Sequence, residues 1–352
     1  MAHVTRMLAF VLGIAVVASS AKADEIDDAI AAYERKDFAT ALRVLLPAAE
    51  RAEQRAMNTL GLMYLNGEGV TRDVDEGRKW IGRAADRGYA AGQHNLGVMY
   101  ERGEGVTRSL AMAAKLYRLA AEQGFESAQY NLGVLYENGQ GVPRDPAAAV
   151  RWYRSAAEQV NLLAQVNLAI LFENGDGVAK DDAEAAKWFL RAAERGHVAA
   201  QLHAGYNYAT GRGVARDDSE AAKWYRRAAD QGDASAQTNL GVLYGEGRGV
   251  PQDHAEAAKW YRRAADQGDA SAQFDLGVRL AIGQGIPVDL VEAHKWISLA
   301  AARYSAEESA ERATAAEALT KLAGSMTPAQ IAAARRRARE WTAKPEPQGD
   351  GP

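Results

Sequence analysis

Residue types that could carry out catalytic or metal chemistry are few and scattered in this chain of 352 residues, which has six histidines and no cysteine. His197 and His203 lie six residues apart across the start of a helical pattern, and His94, His254 and His294 lie in other parts of the chain. No carboxylate completes a recognisable ligand set around any of them. We therefore expect neither a metal site nor a cofactor.

A serine nucleophile has no better support. The S-x-x-K match, Ser19 to Lys22, lies in the apolar N-terminal segment, and neither S-D-N nor K-T-G occurs. The G-x-G loops follow helical patterns rather than strands and lack the third glycine of a dinucleotide-binding loop. We expect no catalytic residues and no enzyme, so a β-lactam-binding or envelope-active enzyme is a disfavoured alternative.

The element of the sequence that could position binding residues is an internal repeat. Ala221–Gln237 returns letter for letter at Ala257–Gln273, 36 residues later. Three columns recur at this offset: a helix glycine (Gly61, Gly97, Gly133, Gly205, Gly241, Gly277, with Ala169 as substitute), a tryptophan (Trp80, Trp152, Trp188, Trp224, Trp260, Trp296, with Leu116 as substitute), and the first glycine of a G-x-G loop (Gly67, Gly103, Gly139, Gly175, Gly211, Gly247, Gly283). A fixed period of this length predicts a solenoid, in which each unit buries its apolar face against its neighbours.

Each copy predicts two amphipathic helices of about three turns, joined by the G-x-G loop and followed by a tight turn. We expect the helix glycines to mark close approach of two helix backbones and the tryptophans to fill the space between adjacent pairs. The loop glycines suit a left-handed helix C-terminus. Capping boxes are expected where second helices begin: Asp73 with Glu76, Asp181 with Glu184, Asp217 with Glu220, Asp253 with Glu256, and Asp289 with Glu292.

The pattern A-x-x-N-L-G-x-x-Y-x-x-G-x-G-V-x-x-D-x-x-x-A-x-K-W-Y-x-x-A-A-x-x-G resembles the Sel1-like repeat, a relative of the tetratricopeptide repeat. The resemblance implies an all-α, right-handed α/α superhelical solenoid of seven repeats. It also implies that the first helices line a concave groove that binds proteins or peptides.

The rest of the chain predicts export and capping. Residues 1–23 resemble a cleaved signal peptide, with Arg6, the apolar run Met7–Ala18 and cleavage after Ala23, so we expect a periplasmic or secreted protein without stable membrane insertion. Loss of two basic residues moves the net charge from −4 to −6 (40 basic against 46 acidic), which argues against nucleic acid as a partner. We expect an N-terminal capping half-repeat over 24–52, the repeats over 53–304, capping helices over 305–343 and a disordered tail over 344–352. The first capping helix is expected to run from 298 to 323, so it begins within the last repeat.

Candidate partner-binding residues lie on the first helices. One column differs in every copy, which indicates either groove contacts or relaxed constraint: Asn58, His94, Tyr130, Val166, Leu202, Thr238 and Phe274. Where other copies read Asn-Leu-Gly-Val-Leu-Tyr, the fifth copy has His203, Tyr206 and Asn207 at the first, fourth and fifth positions, either as a contact patch or as a repacked copy. An acidic strip is expected on the same face: Glu101, Glu137 and Glu173. Arg335, Arg336, Arg337 and Arg339 form a basic cluster, read as a solvated helix face or as a contact to an anionic envelope surface.

These observations predict a monomeric binding scaffold for a protein or peptide partner. A periplasmic regulator of a membrane sensor is the alternative within binding, and a purely structural spacer is a third interpretation. The sequence does not identify the partner.

Overall fold

The computed structural model describes residues 25–346, so the expected signal peptide and the last six residues lie outside the described part of the chain. Within that part every regular element is an α-helix. In chain order the helices are α1 (residues 25–34), α2 (Phe38–Glu50), α3 (Gln54–Asn66), α4 (Val74–Asp86), α5 (Ala90–Arg102), α6 (Leu110–Glu122), α7 (Glu126–Asn138), α8 (Pro146–Glu158), α9 (Leu162–Asn174), α10 (Asp182–Glu194), α11 (Val198–Thr210), α12 (Asp218–Asp230), α13 (Ala234–Glu246), α14 (His254–Gln267), α15 (Ala270–Ile282), α16 (Leu290–Arg303), α17 (Ser309–Ala323) and α18 (Pro328–Glu340).

Seven helix-loop-helix pairs, α3/α4 through α15/α16, follow one another at the expected period, which confirms the repeat fold. The chain divides into two compact units, each with its own packing. The first comprises residues up to 164 with 176–178, and the second comprises 165–175 and 179 onward. Within each unit, consecutive helices pack side by side.

Six of the seven second helices begin at aspartate N-caps and α6 begins at Ser109, but the expected capping boxes are only half formed, which corrects the sequence expectation. In α12, Asp217 Oδ1 accepts hydrogen bonds from the backbone N–H groups of Ser219 (2.9 Å) and Glu220 (3.1 Å). The Glu220 carboxylate instead accepts from Lys223 Nζ (2.6 Å). The Asp217 N–H is already used, because it donates to the carbonyl of Tyr208 (2.9 Å) in the preceding helix and so closes the loop.

The helix glycines make room mainly for a ring, not for a second backbone. At Gly133 an added Cβ would lie 2.7 Å from the Tyr153 ring, and at Gly205 it would lie 2.5 Å from the Tyr225 ring. At Gly61 the neighbouring side chain is an isoleucine, and a second backbone also comes close. An added Cβ there would lie 2.9 Å from Gly77 O. The residue after each tryptophan is therefore a main core residue of its repeat, a role that the sequence analysis did not assign.

The tryptophans pack between successive pairs, as expected. Trp260 joins the buried cluster of Ala221, Ala222 and Tyr225, which belong to the preceding repeat. Trp152 is the exception in burial, since it is half-buried. Arginines cover several of the rings: the Arg227 Cζ lies 4.5 Å from the Trp224 ring centroid.

Loop glycines end the first helices in the left-handed conformation, which confirms their predicted role. Gly139 has φ of 66° at the end of α7. Gly141 has φ of 70°, and a Cβ there would lie 2.3 Å from the carbonyl group of Leu110 in the preceding repeat. This position therefore needs glycine for both conformation and space.

Glutamines tie the repeats together along one edge. Gln201 Nε2 donates to the Ala193 carbonyl (3.1 Å), and Gln201 Oε1 accepts from Gln231 Nε2 (2.8 Å). The same pair of bonds recurs at Gln237, which donates to Ala229 O and accepts from Gln267. These buried amides satisfy helix-end carbonyls, so the column is structural.

The C-terminal part differs from the sequence expectation in two ways. Residues 298–323 do not form one helix, because α16 ends at Arg303 and α17 begins at Ser309. Residues 344–346 are not a free tail, because the Lys344 N–H donates to Asp266 O (2.7 Å). Trp341 packs edge-on against Trp296. Thr327 begins α18 with a complete capping box.

Candidate binding surface

The variable column does not point into open solvent. Its members at positions 58, 166 and 238 are buried, and those at 94, 130, 202 and 274 are half-buried. Phe274 packs against the core of the second unit, and the Tyr130 ring lies 5.8 Å from that of Tyr153. Only Leu202 among them lines a described surface depression. The buried members are therefore part of the packing between helices, and only the half-buried members keep the expected groove role as a prediction.

His94 lies in a chain of polar contacts in the first unit. Its Nε2 is 3.1 Å from Asn131 Nδ2 and its Nδ1 is 3.2 Å from Asn95 Oδ1. Asn95 donates in turn to Asn58 Oδ1 (2.9 Å). Burial lowers the pKa of His94, so the imidazole is neutral near pH 7. These contacts hold the side chain between successive first helices.

The expected acidic strip is largely engaged by core tyrosines in the first unit. The Tyr117 hydroxyl donates to Glu101 (2.5 Å), and the Tyr153 hydroxyl donates to Glu137 (2.6 Å). Burial, and then the bond to Glu101, raises the pKa of Tyr117. Both carboxylates therefore anchor the ring that fills the space beside the helix glycine.

Glu173 has a different partner in the second unit. The equivalent ring is Phe189, which has no hydroxyl, and Glu173 forms an ion pair with Arg212 instead. Arg212 also binds Asp182, with Nε and Nη2 at 3.0 and 2.9 Å from Oδ1. The hydrogen bond to Asp182 raises the pKa of Arg212. Where the repeat has phenylalanine in place of tyrosine, the carboxylate thus pairs with a loop arginine.

Beside this ion pair lies an open depression of about 360 Å³, which we call the α11 surface. It is lined by Glu173, Leu202, His203, Tyr206, Arg212, Ser235 and Asn239. His203 stacks on Phe189 with ring centroids 4.2 Å apart and planes within 3°. Burial lowers the pKa of His203, so its ring presents a neutral aromatic face near pH 7. Tyr206 is 47% exposed at the rim.

The structure thus brings together four of the predicted residues, Glu173, Leu202, His203 and Tyr206, and separates the others. Asn207 is 4% exposed, so its predicted place on the binding face is wrong. It occupies a core position of α11 that holds leucine or methionine in most other copies, such as Leu243 and Met63.

Sequence reasoning missed Arg212, Ser235 and Asn239. The signal for Arg212 was available, because its loop column is acidic or amide-bearing in the earlier copies (Glu68, Glu104, Gln140, Asp176) and becomes basic here. Ser235 and Asn239 carry no such sign, since they match the repeat consensus.

The basic cluster on α18 is partly engaged. Arg337 forms an ion pair with Glu292 (2.7 Å), while Arg335, Arg336 and Arg339 are exposed. Among residues 25–346 there is no group of histidine, cysteine and acidic side chains that could hold a metal ion. No helix in the same range is long and apolar enough to cross a bilayer.

The fold and the surface together define an all-helical repeat protein with a preformed aromatic depression. The chain belongs to the Sel1 repeat family, whose model matches seven consecutive segments: 54–89, 90–125, 126–161, 162–197, 198–233, 234–269 and 270–305. Sel1 repeat proteins are generally scaffolds for protein interaction, and the fold is typically non-enzymatic.

Two solved structures are similar over most of the chain. A Sel1 repeat protein from Oxalobacter formigenes is 34% identical, with 86% of this chain and 90% of that chain covered and a TM-score of 0.60. A protective antigen present in uropathogenic Escherichia coli strains, c5321, is 27% identical, with 86% of each chain covered and a TM-score of 0.50. The comparison with curated proteins gave no match.

Proposed function

We propose that this protein is a non-enzymatic scaffold that binds a segment of a partner protein at the α11 surface. The observation that carries the proposal is Tyr206. The other repeats place a half-buried aliphatic residue in its column (Leu62, Val98, Val134, Ile170, Val242, Val278), whereas Tyr206 is a largely exposed aromatic ring beside a depression. Exposed aromatic residues at the edge of a pocket are typical anchors of protein interfaces.

The surface is preorganised for binding. Phe189 fixes the plane of His203 by stacking, and two carboxylates hold Arg212 in the wall of the depression. Rigid side chains lose little conformational entropy when a partner docks, so more of the contact energy appears as affinity.

The lining indicates the chemistry of the partner. Leu202 and the His203 and Tyr206 rings suit an apolar or aromatic side chain, while the Asn239 amide and the Ser235 hydroxyl can bond to a peptide backbone. The Arg212 guanidinium already has two carboxylate partners, so it favours a neutral segment over an acidic one at this wall.

The test is quantitative affinity capture from the native cell with wild-type protein, Tyr206→Ala and a Lys223→Ala control. Lys223 is exposed on α12 and pairs locally with Glu220, so its loss should not affect the α11 surface. We expect one or more proteins to be depleted several-fold with Tyr206→Ala alone. Equal recovery with all three proteins would contradict the proposal.

We also propose that the protein is exported to the periplasm or secreted. The support is the N-terminal sequence, with its apolar run and the A-x-A motif of Ala21, Lys22 and Ala23. Intact mass measurement of the protein purified from its host should give a chain beginning at Asp24. A mass that includes residues 1–23 would contradict cleavage.

A further inference from the structure

A carboxylate of the C-terminal segment is bound by a set of residues that the repeat provides. Glu346 accepts hydrogen bonds from Arg263 (Nε at 2.9 Å, Nη2 at 2.6 Å) and from Gln237 Nε2 (3.0 Å). The Arg263 Cζ lies 4.6 Å from the Trp260 ring centroid, so the ring supports the guanidinium. Residues 341–346, which carry Glu346, form no helix or strand, and Pro345 disfavours a helical conformation of the residue before it.

The same set recurs one repeat earlier as Trp224, Arg227 and Gln201. The Arg227 Cζ lies 4.5 Å from the Trp224 ring centroid, nearly the distance found for Arg263 and Trp260. Gln201 donates to a helix-end carbonyl at 3.1 Å, as Gln237 does. The two sets therefore have matching local geometry.

The earlier set differs in being open. Arg227 is exposed, and no carboxylate within residues 25–346 forms an ion pair with it. The carboxylate that Arg263 receives from Glu346 has no counterpart at Arg227 in that range.

We propose that Trp224, Arg227 and Gln201 form a second binding site, which takes the carboxylate of a glutamate in a non-helical, proline-flanked segment of a partner protein. Two observations support this assignment. The Arg227 charge is complementary to a carboxylate, and the equivalent residues one repeat later bind the carboxylate of Glu346. The guanidinium offers two N–H donors to one carboxylate, and the indole face stabilises its charge. The site uses different residues from the α11 surface and does not depend on it.

The first repeat supplies a matched control. Arg83 is exposed and its Cζ lies 4.6 Å from the Trp80 ring centroid, but Met57 stands where the later repeats have the glutamine. The first repeat thus has the cation–π pair without the amide donor.

The experiment is an NMR titration of the purified full chain that monitors the Trp224 indole resonance. The probe is the end-blocked peptide Ala-Lys-Pro-Glu-Pro, and the comparison peptide has glutamine in place of glutamate. We expect a saturable shift with the glutamate peptide, a loss of affinity of at least about ten-fold with Arg227→Gln, and no change with Arg83→Gln. Added salt should weaken the binding.

Three results would overturn the assignment. One is equal binding of both peptides, and another is a titration that Arg227→Gln leaves unchanged. The third is a Trp224 response that appears only after deletion of residues 347–352, because the chain's own end would then be the occupant. Concentration-dependent dimerisation lost in both Arg227→Gln and Glu346→Gln would assign the site to a second copy and would equally overturn it.

Discussion

Replacing Phe189 by tyrosine tests how the α11 surface is built. In the second and third repeats the equivalent rings carry hydroxyls that donate to Glu101 (2.5 Å) and Glu137 (2.6 Å). Phe189→Tyr would place a hydroxyl at the same offset from Glu173, which now pairs with Arg212. The new donor would compete with the guanidinium for the carboxylate.

The magnitudes favour the hydroxyl. A buried hydrogen bond to a charged group contributes about 1.5–3 kcal/mol. The side chains of Glu173 and Arg212 are 15% and 29% exposed, and a partly exposed ion pair contributes about 0–1 kcal/mol. Arg212 would keep Asp182. We expect Phe189→Tyr to stabilise the protein by about 1 kcal/mol, which corresponds to a rise of about 2 °C in melting midpoint.

The assay is thermal unfolding followed by circular dichroism, in a double-mutant cycle with Glu173→Ala. The gain should disappear in the Glu173→Ala background, because the acceptor is gone. Because Arg212 would turn away from Glu173, we also expect several-fold weaker capture of the partner. A destabilised Phe189→Tyr variant, or an equal gain in both backgrounds, would refute this reasoning.

Three further predictions concern stability, and each is checked by thermal or urea unfolding. Gly141→Ala should lower the free energy of unfolding by about 2–4 kcal/mol, because the φ of Gly141 is 70° and the new Cβ would lie 2.3 Å from the Leu110 carbonyl. Gly82→Ala is the control, because an added Cβ there meets nothing within 4 Å. It should be mildly stabilising. Val160→Gly should stabilise by about 1 kcal/mol, because a β-branched residue is held there at φ of 74°; a loss of stability would show that the valine side chain contributes more than its strain. Burial raises the pKa of Asp275 to about 6 from its ordinary value of 3.8. Between these pH values the folded state holds a proton that the unfolded state has lost. The cost in folding stability of ionising the buried carboxyl is therefore absent below about pH 4 and complete above about pH 6. Asp275→Asn should therefore stabilise by about 1–2 kcal/mol at pH 8 and change little at pH 4, and an equal effect at both pH values would contradict the shifted pKa.

Local features of the repeat were predictable from sequence because they depend on residues close in the chain. Helix pairs follow from hydrophobic spacing, and Gly139 follows from the left-handed conformation that ends α7. Aspartate N-caps such as Asp217 follow from the same local logic. The second hydrogen bond of the expected capping boxes does not form, and the sequence did not predict this. The N–H of Asp217 donates instead to a carbonyl of the previous helix.

The candidate site depended on contacts distant in sequence. Glu173 and Arg212 are 39 residues apart, and nothing in the repeat pattern pairs them. Asn207 was assigned to the binding face because the fifth copy departs from the repeat pattern there, but helix packing places it in the core. Glu346 contacts Gln237, which lies 109 residues earlier in the chain. The composition of the C-terminal segment does not indicate such a distant contact, so it predicted a free tail.

The most direct test of the binding role is site-specific photo-crosslinking in the native cell. A photoreactive phenylalanine analogue replaces Tyr206 in one strain and Lys223 in a control strain, and adducts are identified by mass spectrometry. Binding at the α11 surface predicts a discrete adduct from position 206, absent at position 223 and lost when Leu202→Asp is added. No adduct from position 206, or the same adducts from both positions, would contradict the binding role of this surface.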